Sequence, residues 1–291
     1  MTEIATVIPT LNEEIHIARA IDSVRSLGPV FVLDSGSSDR TQAIARSNGA
    51  QVQVHPWEGY AAQKNWALDS IPMRSQWILF LDADEYLMEP ARQEIMTAVG
   101  APGVDGYYLA RRFIFLGAEL RHAWWYPDYQ LRLFKRNNGR FENRLVHEHV
   151  VLAGRPAMLR EPIWHENLRG IDHFIGRHIT YAGLEAEEIK RQRLVHTQLK
   201  EGSFLGTWPE RRRALKTRIW YRLPGRSFIR FAWLYFIRRG FLDGRRGLIY
   251  SQLIASYDAF IDAKLLEQEV DKVPGTTFAR RLAEDRPGRR N

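Results

Sequence analysis

The stretch Trp77-Ile78-Leu79-Phe80-Leu81-Asp82-Ala83-Asp84-Glu85 decides the fold. Its apolar half has the length of one strand and falls short of a helix. An unbroken apolar run of this kind suits a strand buried on both faces, as in parallel sheets. The acidic half follows at once. Two carboxylates one residue apart at the end of such a strand are costly unless their charge is compensated. A divalent cation would do so, since Mg²⁺ and Mn²⁺ prefer oxygen ligands and take one or two carboxylates together with phosphate oxygens. A diphosphate bridged by that cation becomes a better leaving group. The plainer alternative is a solvated loop in which Asp84 or Glu85 caps the next turn.

Working upstream, strands and helices alternate. Ile4–Ile8 forms a first strand that ends at Pro9, and Asn12 is placed to cap a helix whose apolar stripe is Ile17, Ile21 and Val24. Gly28-Pro29 closes that helix. Val30–Leu33 is a second strand, ending at Asp34 and the loop Ser35-Gly36-Ser37-Ser38, and a helix follows from Asp39 to Asn48 with Gly49 after it. Gln51–Val54 is a third strand and Ala61–Leu68 a helix. This alternation predicts βαβ units and a parallel sheet. Ligands of such sheets sit beyond the carboxyl ends of the strands, where Pro9–Glu14, Asp34–Asp39 and Asp82–Glu85 all fall. Asn12, Ser38 and Asp39 also read as ordinary helix-start residues. No Walker A run and no G-x-G-x-x-G occurs, so neither a P-loop nor a Rossmann dinucleotide site is indicated.

Downstream, Tyr107–Phe115 and Gln130–Phe134 read as strands flanking the aromatic loop Trp124-Trp125-Tyr126-Pro127-Asp128. Asn137-Asn138-Gly139 is a turn. Leu145–Leu152 and Ile163–Trp164 are further strands, Gly170 to Lys200 is helical, and a last helix covers Leu248–Glu269.

Composition bounds the rest. The 291 residues are 45% apolar and contain no cysteine, which excludes disulfides and thiolate metal sites and fits a reducing compartment. No signal peptide is read at the start, and no window offers the apolar run of a spanning helix. The net charge of +8 is uneven: between Leu205 and Arg246 the only acids are Glu210 and Asp243 among twelve Lys and Arg residues. There Phe228, Phe231, Trp233, Tyr235, Phe236 and Phe241 interleave with arginines, the mixture an interfacial helix needs on an anionic membrane surface. A packing helix with a solvated basic face is the alternative. Nucleic-acid binding is not expected, because no recognised module accompanies the charge.

The segments "VIPTLNEE" (7–14), "VLDSGSSDRT" (32–41), "AAQKNWAL" (61–68) and "WILFLDADE" (77–85) together resemble the inverting family 2 glycosyltransferases of the GT-A fold. That resemblance implies that Pro9, Leu11 and Glu13 line a nucleotide pocket, with Asp34 and Asp39 near ribose and base. It places Asp82 near ribose and metal, Asp84 on the metal, and Lys64 and Asn65 near the diphosphate. "RRFIFLGAELRHAWWYPDYQLRLFKR" (111–136) followed by "VHEHV" (146–150) is similar to bacterial lipopolysaccharide core glucosyltransferases. The commonest family pattern has an acidic pair before the acceptor-side helix, whereas here Asp128 stands alone in that neighbourhood.

Inversion needs a base on the acceptor hydroxyl, opposite the leaving group. Asp128 is the first candidate and Glu148 the second. Asp128 also reads as a turn residue after Pro127. His165 is a possible further metal ligand, and His147 and His149 could share a strand face, although a lone His is more often a hydrogen-bonded core residue. Trp124, Trp125 and Tyr126 form either a core plug or a platform for a sugar.

The expectation is therefore an α/β chain with a mostly parallel GT-A-like sheet over 1–200, a basic aromatic helical membrane-associating extension over 201–273 and a polar tail over 274–291. It would use Mg²⁺ or Mn²⁺ to move a hexose, glucose from UDP-glucose by the subgroup resemblance, onto a lipid-linked saccharide acceptor. It would work in the cytoplasm, on the inner face of the cytoplasmic membrane. The rival readings are a metal-dependent nucleotidyltransferase or sugar-nucleotide hydrolase, and a non-catalytic membrane-binding relative.

Overall fold

The computed structural model of the chain describes residues 4–72, 74–142, 149–195, 220 and 223–270. Strands β1 (Ile4–Thr10), β2 (Val30–Asp34), β3 (Gln51–Val54) and β4 (Trp77–Phe80) pair in parallel, in the order β3-β2-β1-β4. Each apolar run supplies both faces of the sheet. Ile4 and Ile8 of β1, Val30 and Val32 of β2, and Trp77 and Leu79 of β4 join one core. Ala5, Val7, Phe31, Leu33, Ile78 and Phe80 join the other. Successive side chains of a strand point to opposite faces, so a two-faced burial requires an unbroken apolar run.

Helices α1 (Ile17–Val24), α2 (Thr41–Ser47) and α3 (Tyr60–Ser70) are the crossovers. Ile17, Ala20, Ile21 and Val24 recur at helical spacing and are fully buried in the first core, with α4 (Glu89–Ala98) adding Ala91 and Ile95. Helix α3 covers the second core through Ala61, Ala67 and Leu68. Gly28, at φ 148°, brings the chain from α1 back against β1, and a Cβ there would meet the Ile4 carbonyl oxygen at 2.7 Å.

The sheet continues as a mixed one. β8 (Asp128–Lys135) pairs antiparallel with β4, and β6 (Gly106–Phe115) pairs antiparallel with β8. β12 (Ile163–Glu166) lies parallel to β6, and β5 (Glu85–Leu87) closes the edge antiparallel to β12. β7 (Ala118–Glu119) and β11 (Pro156–Met158) also pair with β6. β9 (Gly139–Phe141) and β10 (Val150–Leu152) form a separate ribbon. The turn at Asn137-Asn138-Gly139 thus links β8 to a strand that pairs elsewhere, with β10.

The mostly parallel sheet with flanking helices expected from the sequence is present. Three local readings change. Asn12 does not cap α1, which starts after His16. With φ 55°, Asn12 turns its backbone N–H to Ser37 Oγ at 2.8 Å and accepts from the Ser38 N–H at 2.8 Å. β5 and α4 fill a stretch where no element was read. Of the strand expected over Leu145–Leu152, Val150–Leu152 is observed, and residues 143–148, which include His147 and Glu148, lie outside the described residues.

The chain divides into two compact units, Met1–His173 with Leu234–Tyr250, and Phe174–Trp233 with Ser251–Asn291. Long helices α5 (Gly170–Val195) and α7 (Gly244–Val270) and a short one, α6 (Arg226–Ala232), complete the order. Within the second unit, Ala182, Ala186 and Ile189 pack on Ile261 and Leu265. The fully buried Arg226 bonds the Asp258 carbonyl at 3.2 Å and pairs with Asp262 at 2.8 Å, and Arg230 pairs with Asp258 at 2.8 Å. Among the described residues no helix is long and apolar enough to cross a membrane.

Candidate active site

The carboxyl ends of β2, β1 and β4 lie side by side, because Thr10 stands opposite Asp34 and the Leu81 N–H bonds the Val7 carbonyl at 3.1 Å. The first two ends are zipped together. Beyond the Asn12 contacts, the Glu13 N–H donates to Thr41 Oγ1 at 2.7 Å, the Glu14 N–H to Asp39 Oδ2 at 3.2 Å and the Arg40 N–H to Glu14 Oε2 at 3.1 Å. Pro9 is half-buried at the end of β1, while Leu11 is exposed.

Asp34 is fully buried and accepts from the N–H groups of Gly36 and Ser37, from Ser37 Oγ and from Gln42 Nε2, at 2.5 to 3.0 Å. It shapes the Ser/Gly loop that faces the neighbouring strand end. Burial opposes ionisation of Asp39, but hydrogen bonds from the Thr41 hydroxyl and N–H and from the Glu14 N–H outweigh it. With Arg169 nearby, they hold the carboxyl below its ordinary value. Glu13 lies 2.6 Å from Nδ1 of the buried His16 and 3.2 Å from Arg169. Because His16 Nε2 accepts from the Leu168 N–H at 2.8 Å, Nδ1 is the donor to Glu13. Thus Glu13 is tied to the segment that follows β12.

At the third end the chain turns at Ala83-Asp84, with the Glu85 N–H on the Asp82 carbonyl at 2.9 Å, and enters β5. The pairing of β5 with β12 sets His165 opposite Glu85 and the Glu166 N–H on the Asp84 carbonyl at 3.0 Å. His165 Nε2 then stands 3.1 Å from Asp84 Oδ2, and Asn167 Nδ2 donates to the same oxygen at 3.2 Å. Asp82 turns to cations instead: Arg132 Nη2 at 2.8 Å and Lys64 Nζ at 4.0 Å. Burial works against the Asp82 charge, but Arg132 and Lys64 win and hold the carboxyl well below the usual range. Burial, with Asp82 adding to it, pushes the Glu85 carboxyl up against the pull of Arg132, Arg111 and His165.

Arg132 reaches these acids through a β-bulge. Across β6 and β8, Tyr108 pairs with Leu131 and Tyr107 with Leu133, so Arg132 has no register partner. A bulge re-aims a side chain in this way, and here it buries the guanidinium between Asp82 and Glu85.

Asp128 opens β8 directly opposite Arg111 of β6, whose Nη2 lies 2.8 Å from Asp128 Oδ2, and Gln130 Nε2 donates at 3.2 Å. The aromatic loop is braced by arginines: Arg111 over Trp124, Arg112 over Tyr126 and Arg238 over Trp125, at 5.0 to 5.4 Å. Trp124 is half-buried and packs on Phe113 and Tyr250, and Trp125 is exposed. Asn65 bonds the N–H and carbonyl of Phe141 at 3.0 and 2.9 Å, which anchors β9 on α3. His149 is exposed beside β10.

A family model described as glycosyl transferase family 2 matches residues 6–164, the span that carries all three strand ends and the first two residues of β12. The chain belongs to glycosyl transferase family 2. An uncharacterized glycosyltransferase of Rickettsia bellii is 30% identical over 287 residues, covering 94% of this chain and 90% of that protein. The lipopolysaccharide core biosynthesis glycosyltransferase LpsC of Rhizobium meliloti is 30% identical over 177 residues, 54% of this chain and 65% of that protein. A mannosyltransferase of Pyrobaculum calidifontis, solved with GDP-Man and Mn²⁺, superposes with a TM-score of 0.52 at 16% identity over 93% of this chain and 88% of that one. This likeness identifies the shared fold, that of the GT-A glycosyltransferases.

For a family 2 enzyme the fit of a divalent cation can be judged from the donor atoms. Among the described residues no group of three or more His, Asp or Glu side chains is gathered around one point. Asp84 and His165 do meet, and His165 Nδ1 is buried without a hydrogen-bond partner among the described residues. The Asp84 carboxylate fits Mg²⁺ or Mn²⁺ as a partial shell that phosphate oxygens would complete, with the His165 imidazole beside it the weaker donor for these hard ions. Asp82, the third residue suggested by the sequence, faces Arg132 and Lys64. Sequence reasoning passed over Arg132, Arg111, Asn167 and Arg169, which reach the site through pairings distant along the chain, and His16, which contacts Glu13 locally and the Leu168 N–H at long range.

Proposed function

We propose that this family 2 glycosyltransferase transfers a hexose from a nucleoside diphosphate sugar, with inversion, onto a hydroxyl of a lipid-linked saccharide such as lipopolysaccharide core. The observation that carries the reading is the convergence of Asp34, Pro9–Glu14 and Asp82–Asp84 at three adjacent parallel strand ends. In α/β sheets ligands bind there. The Asp34 loop and Glu13 shape the nucleoside side, Lys64 and Arg132 hold positive charge where the diphosphate would lie, and Asp84 with His165 would hold the cation. When bound, that cation would supply Lewis-acid stabilisation of the leaving diphosphate. Asp128 accepts the acceptor proton as general base, with Arg111 fixing its carboxylate. Glucose from UDP-glucose is the proposed donor, supported by the resemblance of 111–136 to core glucosyltransferases. The LpsC relative supports the acceptor class.

The membrane surface is the proposed meeting place with that acceptor. Phe236, Ile237, Phe241 and Leu242 are exposed beside exposed Arg239, Arg245 and Arg246, a mixture suited to an anionic interface. Asp243 accepts from the N–H groups of Arg121, His122 and Ala123 at 2.7 to 3.1 Å, and Arg238 bonds the carbonyls of Trp124 and Tyr126 at 3.0 and 3.1 Å. This surface is therefore joined to the loop that leads into Asp128.

The test is UDP release from UDP-glucose with Mn²⁺, with and without lipid-linked saccharide. Turnover that requires the acceptor is expected, and Asp128→Asn should lower kcat by about 10²-fold or more, the range for a lost general base. Equal UDP release without acceptor would favour a sugar-nucleotide hydrolase.

A further inference from the structure

We propose that Glu85 is a positioning residue that joins the donor-side Asp82 to the acceptor-side Asp128 through two shared guanidinium groups, those of Arg132 and Arg111. The proposal rests on the reading of Asp128 as the base.

The five side chains form a ladder of alternating carboxyl and guanidinium groups. Asp82 Oδ2 lies 2.8 Å from Arg132 Nη2, which lies 2.9 Å from Glu85 Oε1. Glu85 Oε1 also lies 3.6 Å from Arg111 Nη1, and Arg111 Nη2 lies 2.8 Å from Asp128 Oδ2. The ends of the ladder are half-exposed, as a pair of reacting sites must be, while Glu85 is 1% exposed at its centre. Charges sheltered from water interact more strongly than solvated ones.

The geometry of Glu85 is over-determined. Its N–H holds the Asp82 carbonyl, its Oε2 accepts from the Asp82 N–H at 3.0 Å, and its strand is paired to β12. Its Oε1 is therefore a fixed point toward which both arginines lean. Arg132 is aimed there by the bulge and Arg111 by its register opposite Asp128. With Glu85 in place, each arginine divides its charge between an inner and an outer carboxylate. Without it, Arg111 would pair with Asp128 alone and offset more of the charge of the base, and Arg132 would pair with Asp82 alone. A donor side and an acceptor side that come from different strands are thus held in one arrangement by one buried carboxylate. A general base must lie within hydrogen-bond reach of its proton, so small displacements of Asp128 are costly.

The experiment is a double-mutant cycle on Glu85→Gln and Asp128→Asn, with steady-state kinetics for UDP-glucose and acceptor and thermal unfolding of each variant. Glu85→Gln is expected to lower kcat about 10- to 100-fold with KM for UDP-glucose within about threefold, the signature of a lost transition-state interaction. Glu85→Asp, which keeps the carboxyl group, is expected to recover part of that loss. In the Asp128→Asn background, Glu85→Gln should cost less than about threefold more, since both act through one group. Arg111→Lys should behave like Glu85→Gln in the same cycle, and it serves if Glu85→Gln unfolds. A multiplicative loss in the double variant, or an unchanged kcat in Glu85→Gln, overturns the proposal while leaving Asp128 as base. Parental kcat in Asp128→Asn alone overturns it by removing the base assignment itself.

Discussion

Arg132 Nη2 stands 2.8 Å from Asp82 Oδ2, and it does so from the one strand position that the β6–β8 register skips. The same guanidinium serves the buried Glu85. Removing it leaves a buried carboxylate without its nearest cation, which typically costs about 3–5 kcal/mol. Arg132→Met should therefore lower the thermal midpoint substantially, and adding Glu85→Gln should recover part of the loss. Arg25→Ala, which breaks the exposed pair with Asp22, should change stability by less than about 1 kcal/mol. Equal effects of the two arginine substitutions in thermal unfolding would contradict the burial argument.

Asp39 gives a pH signature. Its folded carboxyl lies below the ordinary value of 3.8, so the unfolded chain binds more protons between the two values and stability rises with pH there. The contribution is complete above about pH 4 to 5 and is lost as pH falls through the folded value. The difference in midpoint between the parent and Asp39→Ala should be largest near pH 7 and shrink below pH ~4. A difference independent of pH would mean that the hydrogen bonds of Thr41 and Glu14 to this carboxylate do not stabilise the fold.

Two glycines should respond with opposite sign. A Cβ at Gly247 would lie 2.0 Å from the Gly240 carbonyl oxygen, a clash with backbone that costs about 1–3 kcal/mol. Gly183, inside α5, has nothing within 4 Å of its Cβ position, so alanine there should stabilise by about 0.5–1 kcal/mol through helix propensity. Midpoints that fall for Gly247→Ala and rise for Gly183→Ala are expected. A neutral Gly247→Ala would show that the approach of α7 to the preceding turn is loose.

How much of this was legible beforehand follows from the range of the interactions. The parallel strands were readable because Val30–Leu33 and Trp77–Leu81 bury both faces, and a two-sided burial leaves an unbroken apolar run. The acids at their ends were readable because charge after such a run stands out. Asn12 reads as a helix cap in the sequence because local spacing cannot tell a cap from a bridge to Ser37 and Ser38, some 25 residues on. Arg132 was invisible as a site residue, because within "QLRLFK" a period of two gives no sign of a bulge. The meeting of His165 with Asp84 depends on β5–β12 pairing across 81 residues, and nothing local encodes it.

The most direct test of the central claim, that Asp84 and His165 hold a cation for a nucleotide diphosphate, is calorimetric titration of UDP into the protein with and without Mn²⁺. Mn²⁺ should tighten UDP binding to the parent and to Asp128→Asn alike. In Asp84→Ala that enhancement should be lost, and in His165→Ala it should weaken by at least about tenfold. Mn²⁺-dependent UDP binding of parental strength in Asp84→Ala would contradict the claim.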